Sequence, residues 1–471
     1  MIRPLALALY GLSLVAACST SSDAPPNGDG AADQAMTNSD GGDLGEALPD
    51  LTALPVDQAP DLTPDLTPDL TPTLALTVTV TGSGTVTSAP AGINCSSGSC
   101  IGMFANQMVT LTATPTAGNY LRAWSGDCSG RTVCTVTVSQ ARNVTATFVA
   151  ITNNLVFVSS ASYATTLGSA RAYDASCNQL ATAAGLNSQT NNAYVAYVTD
   201  QNSDAATVLA GARGFVRVDG VPFADTLSGL VNLEQILNTL SVDEKGATVA
   251  SGVAMTGFAN PAVYSCSNWT STAGNHQSGS TAWGPGAWHN GQSYPCSGTY
   301  RLYCFMKTQT AALSFTPVAG KKIYWSNTTF GLAGGIAAAD ARCDTDKPMG
   351  TASAVKALLA TTTTPAAALL TAGANYVRPD GVLVGTGAEL VAGTLHSGVW
   401  QSGDGAYRSG FVSNGASTLS VAGTASTTCQ NWTSALMSDH VMLGYVAQPS
   451  QWWGRDTYDC SNLFPIYCVE Q

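Results

Sequence analysis

Two cysteine ladders constrain this chain more than any other feature. One runs Cys177, Cys266, Cys296, Cys304 and the other Cys343, Cys429, Cys460, Cys468. Successive steps are 89, 30 and 8 residues in the first and 86, 31 and 8 in the second. The surrounding letters repeat too. Cys266-Ser-Asn-Trp-Thr-Ser answers Cys429-Gln-Asn-Trp-Thr-Ser, and Tyr303-Cys304 answers Tyr467-Cys468. Unrelated segments do not share such spacing by accident, so residues 154–306 and 320–471 are a tandem duplication. Further landmarks match in order. Each copy opens with a short strand (156–158, 323–325), followed by an Ala-rich helix carrying Asp174 and Cys177 or Asp340 and Cys343. Then come Arg217-Val-Asp-Gly and Arg378-Pro-Asp-Gly, where Asp bonds its own backbone and Gly supplies a positive φ for a turn.

The other cysteines are Cys18 and a group of four, Cys95, Cys100, Cys128 and Cys134. Even numbers per module in an exported chain predict disulfides, and the close Cys-x-x-Cys pairs of a zinc site do not occur. The net charge of −12 is concentrated in residues 19–73, which hold eleven Asp or Glu and no Lys or Arg. The rest is nearly neutral, which excludes electrostatic nucleic-acid binding.

Residues 1–17 read as an export signal: Arg3 precedes an apolar run over 5–15 that is too short for a durable span. Val15-Ala16-Ala17-Cys18 resembles the lipobox of bacterial lipoproteins. That resemblance implies acylation of Cys18 and membrane anchoring through the lipid. Ser19 after the cysteine implies the outer membrane, with the protein exposed at the cell surface. Residues 18–73 lack aromatics and run Pro-Asp-Leu-Thr three times over at 60–71, which predicts a disordered stalk.

Residues 74–150 alternate in period two between Gly- and Pro-rich turns, as in Leu76-Thr-Val-Thr-Val-Thr and Val144-Thr-Ala-Thr-Phe. A small antiparallel all-β module is expected. Gly82-Ser-Gly-Thr-Val, Trp124-Ser-Gly-Asp-Cys and the closing strand resemble the divergent repeats related to the internalin B repeat. The near pairs Cys95/Cys100 and Cys128/Cys134 suit local loops, although four cysteines allow three pairings.

In each duplicated copy, a first cysteine on a helix and a last one on the final strand enclose two more. This layout resembles the C-type lectin-like fold, with Cys-x-x-Trp and the terminal Tyr-Cys strand closest to its endostatin-type branch. The Ala-x-Asp-Ala-x-Cys helix also resembles a bacterial lipoprotein family of unknown function with that fold. The resemblance implies an α+β class with two tandem C-type lectin-like domains. It also implies Cys177–Cys304 with Cys266–Cys296, and Cys343–Cys468 with Cys429–Cys460.

The chemistry is sparse. Calcium-dependent sugar sites of that fold use Glu-Pro-Asn or Gln-Pro-Asp with Trp-Asn-Asp, and neither occurs; Trp288-His-Asn lacks the carboxylate. No metal, no cofactor and no catalytic motif is expected. Four histidines exist, of which His276 and His440 follow Cys266 and Cys429 by ten and eleven residues. Each is read as a surface or hydrogen-bonded loop residue, with ligand contact the alternative. Trp283, Trp288 and Tyr294, and Trp452, Trp453 and Tyr458, sit in Gly- and Ser-rich loops. They either pack in the core or form an exposed ledge for a sugar or protein ligand. Trp269 and Trp432 are read as core residues on the disulfides. The expected function is non-catalytic binding of an extracellular glycan or protein, adhesion-type, with ligand-free structural display as the alternative.

Overall fold

The computed structural model describes residues 72–186, 193–232, 234–258, 260–351 and 353–471. Cys18, the export signal and nearly all of the stalk lie outside the described residues. The contacts of residues 69–471 make them one compact unit.

The repeat module contains β1 (Leu74–Thr81), β2 (Gly84–Ala89), β3 (Asn94–Cys95), β4 (Gly98–Phe104), β5 (Met108–Pro115), β6 (Asn119–Gly126), β7 (Cys134–Thr137) and β8 (Arg142–Ala150). They form two four-stranded sheets, ordered β4-β1-β8-β6 and β3-β2-β5-β7. Period-two alternation sends Leu76, Val78 and Val80 from one sheet and Val109 and Leu111 from the other into a shared core. The sheets are not wholly antiparallel, because β1 and β8 run parallel in the register Leu76↔Arg142. The first and last strands of the module thereby lie side by side. Cys95–Cys100 and Cys128–Cys134 close local loops.

The two copies share one topology. In the first, a five-stranded sheet is ordered Tyr194–Ala196, Tyr303–Met306, Asn154–Val158, Arg213–Arg217, Pro222–Thr226. In the second the order is Val355–Ala357, Tyr467–Glu470, Lys321–Trp325, Asn375–Val377, Leu383–Thr386. In both, the C-terminal strand runs antiparallel to the opening strand at the sheet's centre, and the strand on the other side of that central strand runs parallel to it. A three-stranded sheet completes each copy: Val253–Met255, Asn275–Ser280 and Gln292–Pro295, or Phe411–Ser413, His440–Tyr445 and Asp456–Asp459. Both faces of each central strand are buried. Leu155 and Phe157 enter one core while Val156 and Val158 enter another, and Tyr324 opposes Ile323 and Trp325 in the same way. Cys177–Cys304 and Cys343–Cys468 tie each helix to the terminal strand, and Cys266–Cys296 and Cys429–Cys460 close the loops of the smaller sheets.

The expected α+β class with tandem C-type lectin-like domains is corrected. The described residues are mostly β, with 35% strand against 14% helix, spread over many small sheets. Composition explains the difference. The Ala-rich segments yield only Asp174–Ala183 and Gly335–Thr345, and the Gly-, Thr- and Ser-rich remainder forms short strands and loops held by disulfides. Asp174 and Asp340 anchor those helices by accepting from Ala196 N and Ala357 N, at 2.8 and 2.9 Å.

The modules are packed on one another. Tyr120 and Ile151 of the repeat module join the core of the first copy. Arg131 crosses that boundary, donating to Leu121 O and Glu244 O at 2.5 Å each. Between the copies, fully buried Arg378 donates to Leu237 O at 2.8 Å, and Trp400 Nε1 donates to Ile236 O at 3.0 Å. Gly284 approaches the Trp400 ring so closely that a Cβ there would lie 2.6 Å from it. The connection is pinned as well, with Leu313 N bonded to Asp225 and Val318 N to Gly381 O.

Cys343 and Cys468 are 125 residues apart, so their bridge removes much unfolded-state entropy. Replacing both with Ser is expected to lower the unfolding free energy by about 2–5 kcal/mol in urea titration.

Candidate functional site

The repeated Cys-x-Asn-Trp segments are left-handed turns. Residues 266–269 have φ from 50° to 61°, and residues 429–432 from 51° to 65°. Left-handed backbone costs L-residues roughly 1–2 kcal/mol each, and Asn tolerates it best after Gly. The surroundings supply the compensation. Trp269 Nε1 donates to Thr199 O and Trp432 Nε1 to Ala360 O, at 3.0 and 2.8 Å. Asn268 Oδ1 accepts from Gln201 N and Asn431 Oδ1 from Thr362 N, both at 3.0 Å. Thr270 and Thr433 close the turns by donating to Ser267 O and Gln430 O, both at 2.6 Å. The motif therefore clamps a loop to the rest of its copy. Both tryptophans are fully buried.

The aromatic loops do not form the ledge that one reading of them offers. Trp288, Trp452 and Trp453 are buried. Trp288 packs between Tyr197 and Phe223, and the second-copy pair packs on Tyr467. Trp283 is half-buried and meets Tyr445 of the other copy edge-on at 5.9 Å. Tyr294 is half-buried against Tyr300, while Tyr458 is exposed and flanked by Phe411 and Phe464. Apart from Tyr458, the rings of these loops are covered wholly or in part by their own core or by the duplicate.

The two loop histidines are not equivalent. His276 is buried opposite Tyr294, and the residue opposite the matching Tyr458 is Val441, not His440. Val441 stands twelve residues after Cys429 where His276 stands ten after Cys266, and one residue fewer separates it from its opposing Tyr, so the count from the cysteine misses the register. Burial holds the His276 ring below its ordinary pKa, and its Nδ1 lies 3.0 Å from Ser278 Oγ. His440 is exposed. Among the described residues, no group of three or more His, Cys, Asp or Glu is placed to share a metal ion.

One cluster has no motif to announce it. His289, fully buried, lies 3.0 Å from Glu234 Oε1 through Nε2 and 3.0 Å from Tyr197 Oη through Nδ1. The other oxygen of Glu234 accepts from Gly286 N and Trp288 Nε1 at 3.0 and 3.1 Å. Burial alone would raise the Glu234 pKa, but His289 and these donors hold it below 4.5. Glu234 has φ +54° at the position occupied in the second copy by Gly393, φ +76°. Likewise Trp288-His289 corresponds to Trp452-Trp453, since Gly279 abuts Trp288 O as Gly444 abuts Trp452 O. The Glu–His pair thus belongs to the first copy alone. It braces residues 283–289, the segment from which Gly284 N reaches Ala447 O of the second copy. Burial pushes the Tyr197 phenol well up, and the row of groups is sealed from solvent on the Tyr side.

A cleft of about 560 Å³, lined by polar and apolar groups, lies between the repeat module and the first copy. Pro115, Leu121 and Val133 form one wall, and Leu180, Ala183 and Ala184 the other. Arg131 also lines it; its aliphatic part packs on Gly246, and the guanidinium lies 5.3 Å from the Tyr120 ring. Nothing in the sequence places Arg131 in a site, because the cleft exists only once the two modules dock.

A family model described as the divergent InlB B-repeat domain matches residues 74–152, which is less than half of the chain. No curated protein matches it.

Asn268→Gly leaves the left-handed backbone unstrained and loses only the bond to Gln201, so in urea titration it should cost about 0.5–1.5 kcal/mol, less than Asn268→Val. The latter places a β-branched residue in left-handed backbone and deletes the bond to Gln201, costing about 2–4 kcal/mol. Glu234→Gln should cost about 1–3 kcal/mol at pH 7. The folded pKa of Glu234 is depressed, so its contribution is present above pH 4.5 and fades as pH falls through the lower folded value. The difference between wild type and variant should shrink from pH 7 to pH 3.

Proposed function

We propose that this chain is a non-catalytic, lipid-anchored surface protein whose head binds an extracellular protein partner, in the manner of an adhesin. Acylated Cys18 in the outer membrane is the anchor, and residues 18–73 are the spacer that presents the head. The observation that carries this reading is a concentration of exposed apolar side chains at one edge of the second copy. Leu436 is 63% exposed, Met437 74%, Tyr458 40% and Leu463 60%. All lie on or next to the loop closed by Cys429–Cys460, and exposed His440 sits on the same strand pair as Tyr458. Isolated exposed apolar residues are ordinary, but several on one rim mark contact surfaces. Leu and Met suit a protein partner better than a sugar, whose rings stack on flat aromatic faces. The disulfide holds this rim in place before binding, which lowers the ordering cost of association. The row of groups most like catalytic machinery, Glu234–His289–Tyr197, is buried at its centre and braces the contact between copies.

The second reading, structural display without a specific ligand, is favoured by a different observation: the aromatic loop faces are spent on packing within and between the copies. Binding of the full chain to an array of glycans and matrix proteins, with and without chelator, separates the two. A protein-class target is expected, unaffected by chelator, with affinity reduced at least about tenfold by Leu436→Glu combined with Met437→Glu. Binding to nothing favours the display reading. Binding that survives the double substitution places the contact elsewhere.

A further inference from the structure

The repeat module leaves one sheet edge open. β4 stands at the end of the order β4-β1-β8-β6, with no strand on its outer side among the described residues. Its pairing with β1 runs unbroken from Leu74↔Phe104 to Val80↔Gly98. An edge of that kind presents a row of unpaired backbone N–H and C=O groups, which proteins usually guard with a charge, a proline or a bulge. β4 carries none of the three. Residues 72–121 contain no Asp, Glu, Lys, Arg or His, and Arg142, on the next strand but one, is paired with Asp127. The module's other edges are short or partly closed. β3 and β7 have two and four residues, and Trp124 N of β6 donates to Gly130 O at 2.7 Å. The outward face of β4 is apolar as well: Ile101 is 66% exposed and Met103 57%, opposite Thr77 and Ala75 of β1.

We propose that β4 is a self-association edge, which pairs antiparallel with β4 of a second molecule of this chain. The seven residues of the strand overlap fully when a twofold axis passes its middle residue, Ile101. Gly98 then faces Phe104 of the other molecule, Ser99 faces Met103, and Ile101 faces Ile101. Side chains alternate with period two, so every outward residue keeps its face in this register. The two Ile101 side chains meet with each Met103 diagonal to them, and two four-stranded sheets become one of eight. The occupant is a second molecule because the edge is self-complementary. It is uncharged, so a twofold axis brings no like charges together, and its central apolar residue is its own partner. Seven paired residues a side bury on the order of 1,000 Å² in total, the range of weak or transient contacts. The place where the chain enters the head offsets that weakness. Leu74 opens β1 opposite Phe104, so the free edge lies one strand from the segment that leads back to Cys18. Molecules anchored through Cys18 on one membrane meet at a raised effective concentration, with their edges near the tethers. This last step rests on the lipid-anchored reading. The pairing itself rests neither on that nor on the protein-contact edge of the second copy.

The test uses the full chain carrying Cys18→Ala, which needs no detergent and whose other twelve cysteines are all in disulfides. Ile101→Cys in that background should join two molecules by a disulfide under mild oxidation. Residues directly opposite in an antiparallel pair have Cα atoms about 4.5–5.5 Å apart, within reach of a bridge. Met103→Cys should not cross-link, because its equivalent in the other molecule stands four residues along, roughly 13 Å away. Both side chains are exposed, so neither substitution threatens the fold. In sedimentation equilibrium at up to about 100 µM, where a contact of this size is populated, the Cys18→Ala chain should dimerise reversibly. Ile101→Lys sets like charges face to face and should weaken the dimer at least about tenfold. A chain that stays monomeric through that range would overturn the proposal. So would a dimer untouched by Ile101→Lys, or equal cross-linking of the two cysteine variants. Leu436→Glu combined with Met437→Glu should dimerise like the parent chain, so failure of the protein-contact reading and failure of this one are distinguishable.

Discussion

Two buried arginines fix how the modules stand. Arg131 leaves the repeat module and donates to a carbonyl of the first copy, and Arg378 leaves the second copy and donates to a carbonyl of the first. Each brings a charge into an interior where it must be satisfied, so each boundary is specified by direction as well as by apolar area. Arg378 is the more complete. It also bonds Ser397, Gly398 and Asp380 and lies 4.8 Å from the Trp400 ring. Its counterpart Arg217 makes the same bonds to Asp219 and to Thr239 O but none across a boundary. Duplication supplied the internal half of the device, and the second copy extended it outward.

Once the copies are locked face to face, the fate of their loops follows. A loop rich in Gly and Trp can face solvent or a neighbour. Here Gly284 and Trp283 face the neighbour, and the absence of a Cβ at Gly284 lets the Trp400 ring close over it. Two differences between the copies fall beside this contact. Glu234 replaces a left-handed glycine and His289 replaces a tryptophan, and the pair braces the segment that meets the second copy. In the second copy the corresponding space is filled by Trp453 packed on Tyr467.

Much of the fold was legible where local pattern decides it. The cysteine ladders gave the duplication, the resemblance to the C-type lectin-like layout gave its disulfide pairing, period-two alternation gave the strands of the repeat module, and Arg-x-Asp-Gly gave turns with Gly220 and Gly381 at φ 85° and 84°. Fold class was misjudged because a short Ala-rich segment weighs heavily in a pattern and lightly in the structure: ten or eleven residues of helix sit beside sheets throughout. The site was largely illegible. Burial of Trp288, Trp452 and Trp453 depends on tertiary packing that a loop-like sequence does not express. The His276–His440 correspondence failed because counting from a cysteine cannot say where in the loop residues are gained and lost. For Glu234 a signal did exist, since aligning the copies sets it against Gly393, an exchange that demands compensation.

The central claim is that repeat module and both copies form one body. Differential scanning calorimetry of the full chain tests it most directly. The account predicts a single transition for the head, with calorimetric and van't Hoff enthalpies equal, as expected for one cooperative unit. Two or three resolved transitions, with the repeat module melting independently of the copies, would contradict it.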